Sequence, residues 1–422
     1  MKIDWDRALL RGEFVAVAAM MEHAGIPLDT ATLSALTERW ADIQWHFAYL
    51  TALRYPRTFE GTRFSIAGLG WYADRAQIPW PKHPDGTLKV DDDTFRDMVR
   101  AFPHLRQLRD ARRMMAQLRA SKLTVGKDGR NRTVLWPFAS KTGRSQPSAS
   151  EFIFGQPSWM RHLIKPGVGF ALAYLDFTAM EFLIAAVLSG DLTMLRVYED
   201  GDPYIGTAIL GGEALEGATK ETHPEIRDRF KTATLAPIYG QSALSLAERL
   251  AIPEAYADDL LRRLRRTYPR FFEWTEHVAT TAAFAGRMTT RFGWSIQVGF
   301  AHAETDGVNL GSLYARDDRS IKNWPVQSCG ADILRLSAIL ASRRGVTLLA
   351  SVHDALLIEA RDEELSGAVQ ITRQSMEDAS RIVLDGHALR VDVQDVRYPK
   401  RFTTKKGKET WGQVMRIVGL KP

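Results

Sequence analysis

The amino-acid sequence predicts an α+β protein built around one antiparallel sheet whose strands come from both halves of the chain. Three observations predict it. Residues 168–188 form an apolar run carrying only two charged side chains, Asp176 and Glu181. Residues 346–360 alternate into two short apolar runs around His353 and Asp354, the pattern of a β-hairpin. Long stretches at helical spacing, 224–284 and 319–342, lie between and beside these strands, the first punctuated by Pro253 and Pro269.

The other elements follow in chain order. Residues 12–55 repeat apolar side chains at helical spacing (Phe14, Val15, Ala18, Met21, then Leu33, Leu36, Trp40) and break at the turn Gly25–Asp29, which predicts two helices. Residues 56–94 are rich in turn formers, with PWPKHPDG at 79–86. One or two basic helices are expected from Asp93 to Arg119. TVLWPF at 133–138 reads as a strand, and the polar loop SKTGRSQPSAS follows it. The sequence carries no internal repeat and no low-complexity segment.

Composition bounds the function. A chain of 422 residues with 45% hydrophobic content can bury a large core and form more than one domain or subdomain. There is no run of eighteen uninterrupted apolar residues, and MKIDWDRALL lacks the basic-then-apolar layout of a signal peptide, so a cytoplasmic location and no membrane partner are expected. The single cysteine, Cys329, excludes an internal disulfide and a cysteine-based zinc site. The net charge is +6, but Arg96–Arg144 holds thirteen Lys or Arg against three Asp, a local net of +10. Such density predicts contact with a phosphate backbone through side chains such as Arg109, Arg112, Arg113 and Lys122, the alternative being a solvated helix face.

An ionised Asp176 at the end of an apolar strand is costly unless something positive meets it. The hairpin sets Asp354 at a tight turn between two apolar strands. If the two strands are neighbours, the acids converge, and a divalent cation or a proton must separate their charges. Oxygen ligands of this kind suit Mg²⁺, which takes one or two carboxylates plus substrate phosphates. The alternative is two acids in ordinary ion pairs. In PEIRDRFKTATLAPIYGQS, residues Arg227, Lys231, Leu235 and Tyr239 are four apart and share one helical face, which Gly240 is expected to end. The basic end of that face could hold a triphosphate and the other end a sugar or base; a core helix with two snorkelling cations is the alternative. Arg319, Asn323 and Gln327 in RSIKNWPVQ repeat the spacing with side chains that read groove edges, and Pro325 predicts an irregular turn there.

With these motifs assembled, the chain closely resembles family A DNA polymerases from about Arg11 to its C-terminus. LDFTAMEFL resembles motif A, RDRFKTATLAPIYG motif B and SVHDALLIEA motif C, while TGRS at 142–145 and RSIKNWPVQ match two further family signatures. The resemblance implies a right-hand fold: thumb with N-terminal helices at 1–130, palm at 131–199 and 290–422 with the antiparallel sheet, and helical fingers at 200–289. It implies two Mg²⁺ ions, with Mn²⁺ as a substitute, held by Asp176, Asp354 and the main-chain carbonyl of Phe177. Arg227 and Lys231 would bind the dNTP triphosphate, Lys231 also protonating the leaving pyrophosphate. Leu235, Tyr239 and Tyr204 would line the nucleotide site, and Glu181 would gate against a 2′-hydroxyl. Arg144, Arg319, Asn323 and Gln327 would meet the primer-template minor groove, His353 the primer end, and Arg161 the DNA. The scheme is metal-assisted in-line displacement, in which the protein mostly positions and neutralises.

Four positions depart from the family pattern: Leu235 stands where Phe or Tyr is usual, Leu183 where Arg is, Tyr204 where His is, and Ala355 where Glu is frequent. These put nucleotide affinity in doubt and predict a slow or specialised enzyme. Too few residues precede the thumb for the proofreading exonuclease of relatives, so no 3′ to 5′ degradation is expected; a separate exonuclease or a replisome protein is a candidate partner, in a bacterial or phage-infected cell, for a chain of phage or mobile-element type. The competing readings are a single-subunit RNA polymerase, which Glu181 opposes because such enzymes need a small residue at the sugar gate, and a non-catalytic DNA-binding relative, which would gain nothing from burying two acids.

Overall fold

In the computed structural model, which describes residues 5–120, 122–299, 313–314 and 318–421, the apolar run after Gly169 becomes strand β1 (Phe170–Phe177). The predicted hairpin forms as β2 (Thr347–Val352) and β3 (Ala355–Arg361), joined by His353 and Asp354. β3 pairs antiparallel with both, β1 on one side and β2 on the other, and β4 (Val391–Arg397) completes the order β4-β1-β3-β2. The sheet is therefore assembled from both halves of the chain, as the α+β reading expects. Its central strands are apolar on both faces, with Leu172, Leu175, Leu356 and Ile358 fully buried, because helices cover the sheet.

Those helices include α1 (Trp5–Ala24), which packs on β2, and α4 (Asp318–Arg343), which packs on β2 and on α5 (Leu365–Val383). α1 buries Phe14, Val17, Ala18 and Met21 at helical spacing, while Val15 faces solvent. α2 (Met180–Ser189) starts two residues after β1, and α3 (Pro224–Leu235) lies in a run of helices that reaches Ala285. Pro253 and Pro269 do punctuate this run: one caps the helix Glu254–Thr267, and the other opens Pro269–Ala285, where a missing N–H costs nothing. α4 continues through Pro325, which removes one rung of its hydrogen-bond ladder. No described helix is long and apolar enough to cross a membrane.

The chain divides into two compact units. The larger comprises Met1–Ala24, Leu135–Gln146 and Phe170–Asp395; the smaller comprises Gly25–Val134, Pro147–Gly169 and Val396–Pro422. In the smaller unit, Ile26–Pro27 pairs with Arg130–Asn131, and helices Thr30–Glu38, Trp40–Arg54, Asp92–Ala101, Arg106–Ala120 and Lys408–Ile417 surround its core.

Three expectations need correction. TVLWPF is not a strand: Trp136 and Phe138 have φ of 47° and 63°, and Pro137 between them has no N–H to donate, so the segment cannot pair as a ladder. The segment 12–55 holds three helices and not two, because Arg39 interrupts between Thr30–Glu38 and Trp40–Arg54. The turn-rich stretch 56–94 contains the helix Ile66–Arg75, capped by Ser65 Oγ accepting from Gly68 N at 3.1 Å.

Candidate active site

The sheet register brings the two acids together. Ala355 lies opposite Asp176, so Asp354, one residue earlier in the turn, sits at the end of β1, and Phe177 N donates to Asp354 O at 3.2 Å. His353 takes a positive φ of 56° to close the two-residue turn. Asp176 Oδ1 is buried and has no hydrogen-bond partner among the described residues. Burial, then the Asp354 carboxylate, pushes the Asp176 carboxyl up to about 7; Asp392 on β4 adds to the push and Lys231 opposes it. Among the described residues, no group of three His, Cys, Asp or Glu side chains forms a metal cage. Two facing carboxylates with an unsatisfied buried oxygen fit a hard divalent ion that completes its shell with substrate phosphate and water.

Glu181 stands on the first turn of α2, which Ala179 opens with a left-handed φ of 50°. Its Oε1 accepts from Tyr239 Oη at 2.7 Å and from Gln327 Nε2, and Gln327 also reaches Tyr239 Oη at 3.4 Å. This links α2, the end of the motif B segment and α4 in one knot. Burial, then Glu181, holds the Tyr239 phenol well above its ordinary value, so Tyr239 stays a donor. Tyr239 does not lie on α3, as its spacing predicts. The helix ends at Leu235 because Pro237 cannot supply the next amide, and a turn carries the chain to Gly240. Gly240 has φ of 58°, and a Cβ there would stand 3.0 Å from Arg319 Cα, so glycine permits that close approach.

Arg227 and Lys231 remain one helical turn apart on α3. Both stand over the buried ring of Tyr204, at 5.4 and 5.9 Å from its centroid, and Arg227 Nε donates to Asp202 Oδ2 at 2.6 Å. Tyr204 is 2% exposed, and burial, with Glu181 next, holds its phenol well above the usual range. It is thus a platform for two cations. Leu183 packs in the core and Leu235, partly buried, packs against it, and Ala355 is fully buried in β3.

Arg144 and His353 line one small cavity of about 70 Å³ with Phe14, Ser145, Arg335 and Ser351. Among the described residues, Arg144 Nε and Asn323 Oδ1 are buried without hydrogen-bond partners, and Gln327 is 8% exposed beside Glu181. Arg319, Asn323 and Gln327 share one face of α4. The remaining basic candidates belong to the smaller unit. There Arg161 donates to Phe154 O at 2.8 Å and stacks on its ring, and Arg109 is paired with Asp92 at 2.9 Å. Arg112 lies over Phe95 at 4.7 Å with its pKa lowered by burial, Arg113 is exposed at 3.9 Å from Asp92, and Lys122 is exposed.

Sequence reading missed Asp202, Asp392 and Arg390. Arg390 lies over Tyr198 at 4.3 Å, donates to Gly201 O, and its carbonyl accepts from Thr178 N at 2.9 Å just beyond β1. The pairing of β4 with β1 brings Asp392 and Arg390 beside the end of β1, whereas Asp202 enters only through its ion pair with Arg227.

The chain is 29% identical over 262 residues to the thermostable DNA polymerase I of Thermus thermophilus, a match covering 60% of this chain and 30% of that protein. It is 27% identical over 402 residues to DNA polymerase I of Aquifex aeolicus, covering 89% of this chain and 64% of that one. The chain thus spans between about a third and two thirds of the length of these curated relatives. Its fold matches the polymerase domain of Pol1 from M. smegmatis, solved in complex with DNA primer-template and dNTP, with a TM-score of 0.72 at 22% identity over 91% of this chain and 69% of that chain. The model of DNA polymerase family A matches residues 106–396, more than half of the chain and both of the paired acids, and the protein belongs to that family.

Proposed function

We propose that this protein is a DNA-directed DNA polymerase that adds dNTPs to a primer 3′-hydroxyl by two-metal-ion nucleotidyl transfer. The observation that carries the reading is the register that sets Asp354 beside Asp176, whose Oδ1 is buried and unpartnered. Asp176, Asp354 and the Phe177 carbonyl would hold Mg²⁺, or Mn²⁺ in its place. Ions of this kind supply activation of the primer hydroxyl and neutralisation of the leaving oxygen.

The chain's own residues do the rest. Arg227 and Lys231, aligned over Tyr204, bind the triphosphate, and Lys231 is the group we assign to protonate the leaving pyrophosphate. Glu181, oriented by Tyr239 and Gln327, fills the space that a ribose 2′-hydroxyl would need. Arg144, Arg319, Asn323 and Gln327 contact the primer-template, with His353 at the primer end. The helical segment 200–289 serves as fingers, the sheet with its flanking helices as palm, and residues 25–130 as thumb; residues 5–24, packed on β2, we count with the palm. Primer-template DNA and dNTPs are the partners this reading requires.

A primer-extension assay with Mg²⁺, supplying dNTPs or NTPs separately, tests the reading. Extension with dNTPs that disappears in Asp354→Ala supports it. Extension with NTPs alone would favour an RNA polymerase, and tight duplex binding without extension a non-catalytic relative. A mismatched primer in the same assay tests the expectation that the chain does not degrade 3′ ends.

A further inference from the structure

The Arg335 guanidinium donates through Nη2 to Asp332 Oδ1 and through Nη1 to Gly143 O, and its face lies 5.2 Å over the ring of Phe138. Phe138 stacks in turn on Trp294 at 5.6 Å and 22°, and Arg11 lies over the Trp294 ring at 5.5 Å while donating to Gly293 O at 2.8 Å. The result is a connected series of two cations and two rings. It closes on the loop 138–145. Trp294 and Trp324 both donate their indole N–H to Lys141 O, at 3.1 and 2.9 Å. Gly143 has φ of 77°, and the Trp294 ring lies 2.9 Å from where a Cβ would stand. Arg144 N donates to Ser140 Oγ at 2.8 Å, and Arg144 O accepts from Ser140 N at 3.3 Å.

Every main-chain group from Lys141 O to Arg144 O named here is engaged, whereas Arg144 Nε is buried with no acceptor among the described residues. A buried donor without a partner is rare and points to an acceptor that arrives from outside. The Asp332–Arg335 pair, with side chains 4% and 11% exposed, also calls for a reason, since a buried ion pair is often no more stable than apolar residues of the same size. We propose that Asp332 and Arg335 are positioning residues that fix the loop 138–145 on α4, so that Arg144 is held rigid beside His353 to meet the primer-template. The same helix carries Arg319, Asn323 and Gln327, and the clamp keeps Arg144 in register with them. This rests on reading Arg144 as a primer-template ligand.

A double-mutant cycle tests it with the full chain, a primer-template duplex and a thermal melt for each variant. Arg144→Ala should weaken duplex binding about tenfold, the worth of one hydrogen bond to a charged group. Arg335→Gln should weaken it by the same factor, leave dNTP KM unchanged once duplex is saturating, and add nothing in the Arg144→Ala background. Arg335→Lys keeps the charge beside Asp332 but lacks the planar fork and its stacking on the ring, so it carries the same test if Arg335→Gln does not fold. An Arg335 variant that folds and binds duplex normally, or that weakens it equally in both backgrounds, overturns the clamp while the Arg144 reading stands. Unchanged binding by Arg144→Ala overturns that reading, and the clamp with it.

Discussion

Asp176 is raised to about 7 in the folded protein against 3.8 as a free side chain, and burial beside Asp354 is the cause. Between those values the metal-free native state holds a proton that the unfolded chain has released. The sign of its contribution is then fixed: the stability that Asp176 lends the metal-free protein falls as pH rises from about 4 towards 7 and levels off above. A divalent ion competes with that proton, so the rise in melting temperature on adding Mg²⁺ should grow across the same window. Asp176→Asn should flatten both dependences, and an unchanged pH slope in that variant would remove Asp176 from the explanation. Asp176→Ala and Asp354→Ala should abolish nucleotide addition while leaving duplex affinity nearly intact, because in the proposed mechanism the acids hold metal and not duplex; extension near the wild-type rate in either would refute the assignment. The role proposed for Glu181 is different, exclusion by occupied space. Its carboxylate is pinned by Tyr239 and Gln327, and overpacking a tight site costs about 1 to 3 kcal/mol, or roughly one to two decades of sugar discrimination. Glu181→Ala should therefore lower the ratio of dNTP to rNTP kcat/KM by that order, with some loss of rate as Tyr239 is released. An equal loss with both sugars would make Glu181 merely a packing partner.

At the scale of elements, the basic stretch 96–144 is less uniform than its charge. Arg109 is tied to Asp92, and Arg112 is half-buried over Phe95 and Phe64, whereas Arg113 and Lys122 are exposed. Neutralising Arg113 and Lys122 should reduce the log-log salt slope of duplex binding by about 0.9 for each phosphate these cations neutralise. Arg112→Ala should instead cost about 1 to 2 kcal/mol of stability in urea melts, because it removes the stacking on two rings and the packing of the side-chain stem, with little change in slope. An unchanged slope in the Arg113, Lys122 double variant would mark that face as simply solvated. The hairpin and β1 were legible because two apolar runs flank a charged turn and one apolar run ends in an acid, patterns that period alone decides. TVLWPF misleads because Val, Leu, Trp and Phe favour strands, and nothing in composition announces positive φ at Trp136 and Phe138. The helix Ile66–Arg75 hides behind Gly68 and Gly70, yet Gly68 is there because the Arg57 carbonyl would stand 1.7 Å from its Cβ. Spacing placed Asp176, Asp354, Glu181, Arg227 and Lys231 correctly on their elements. Tyr239 reached Glu181 by a turn and not by helical phase, and Asp202, Asp392 and Arg390 gain meaning only from partners far along the chain.

At the scale of the whole molecule, each unit is woven from three separate stretches of chain, so the C-terminal residues are structural parts and not a tail. In the smaller unit, Trp411 is 3% exposed, stacks on His162 at 5.3 Å, approaches Trp159 at 6.4 Å, and lies under Arg401 at 5.5 Å. Arg401 in turn reaches Asp29 at 2.7 Å, and His162 Nε2 accepts from Thr404 N at 3.1 Å. The segments 25–134 and 147–169 thus depend on residues beyond 396 to close their core. Trp411→Ala should cost about 3 to 5 kcal/mol in that unit, the usual penalty for emptying a large buried aromatic site. Limited proteolysis should then cut first within 25–134 and 147–169, with 170–395 surviving longer; unaltered resistance of those two segments would contradict the packing argument. Acid should act at the same place. Burial lowers the pKa of His162 below its ordinary 6.5, so the unfolded chain takes up a proton there before the folded unit does. Stability of the smaller unit is therefore full above about 6.5 and declines as pH falls through that value and on to the lower folded-state pKa. His162→Gln, which keeps an acceptor for Thr404 N but cannot titrate, should be the less acid-sensitive protein in the same proteolysis series between pH 7 and 5. If wild type and variant lose resistance in parallel, the acid sensitivity resides elsewhere.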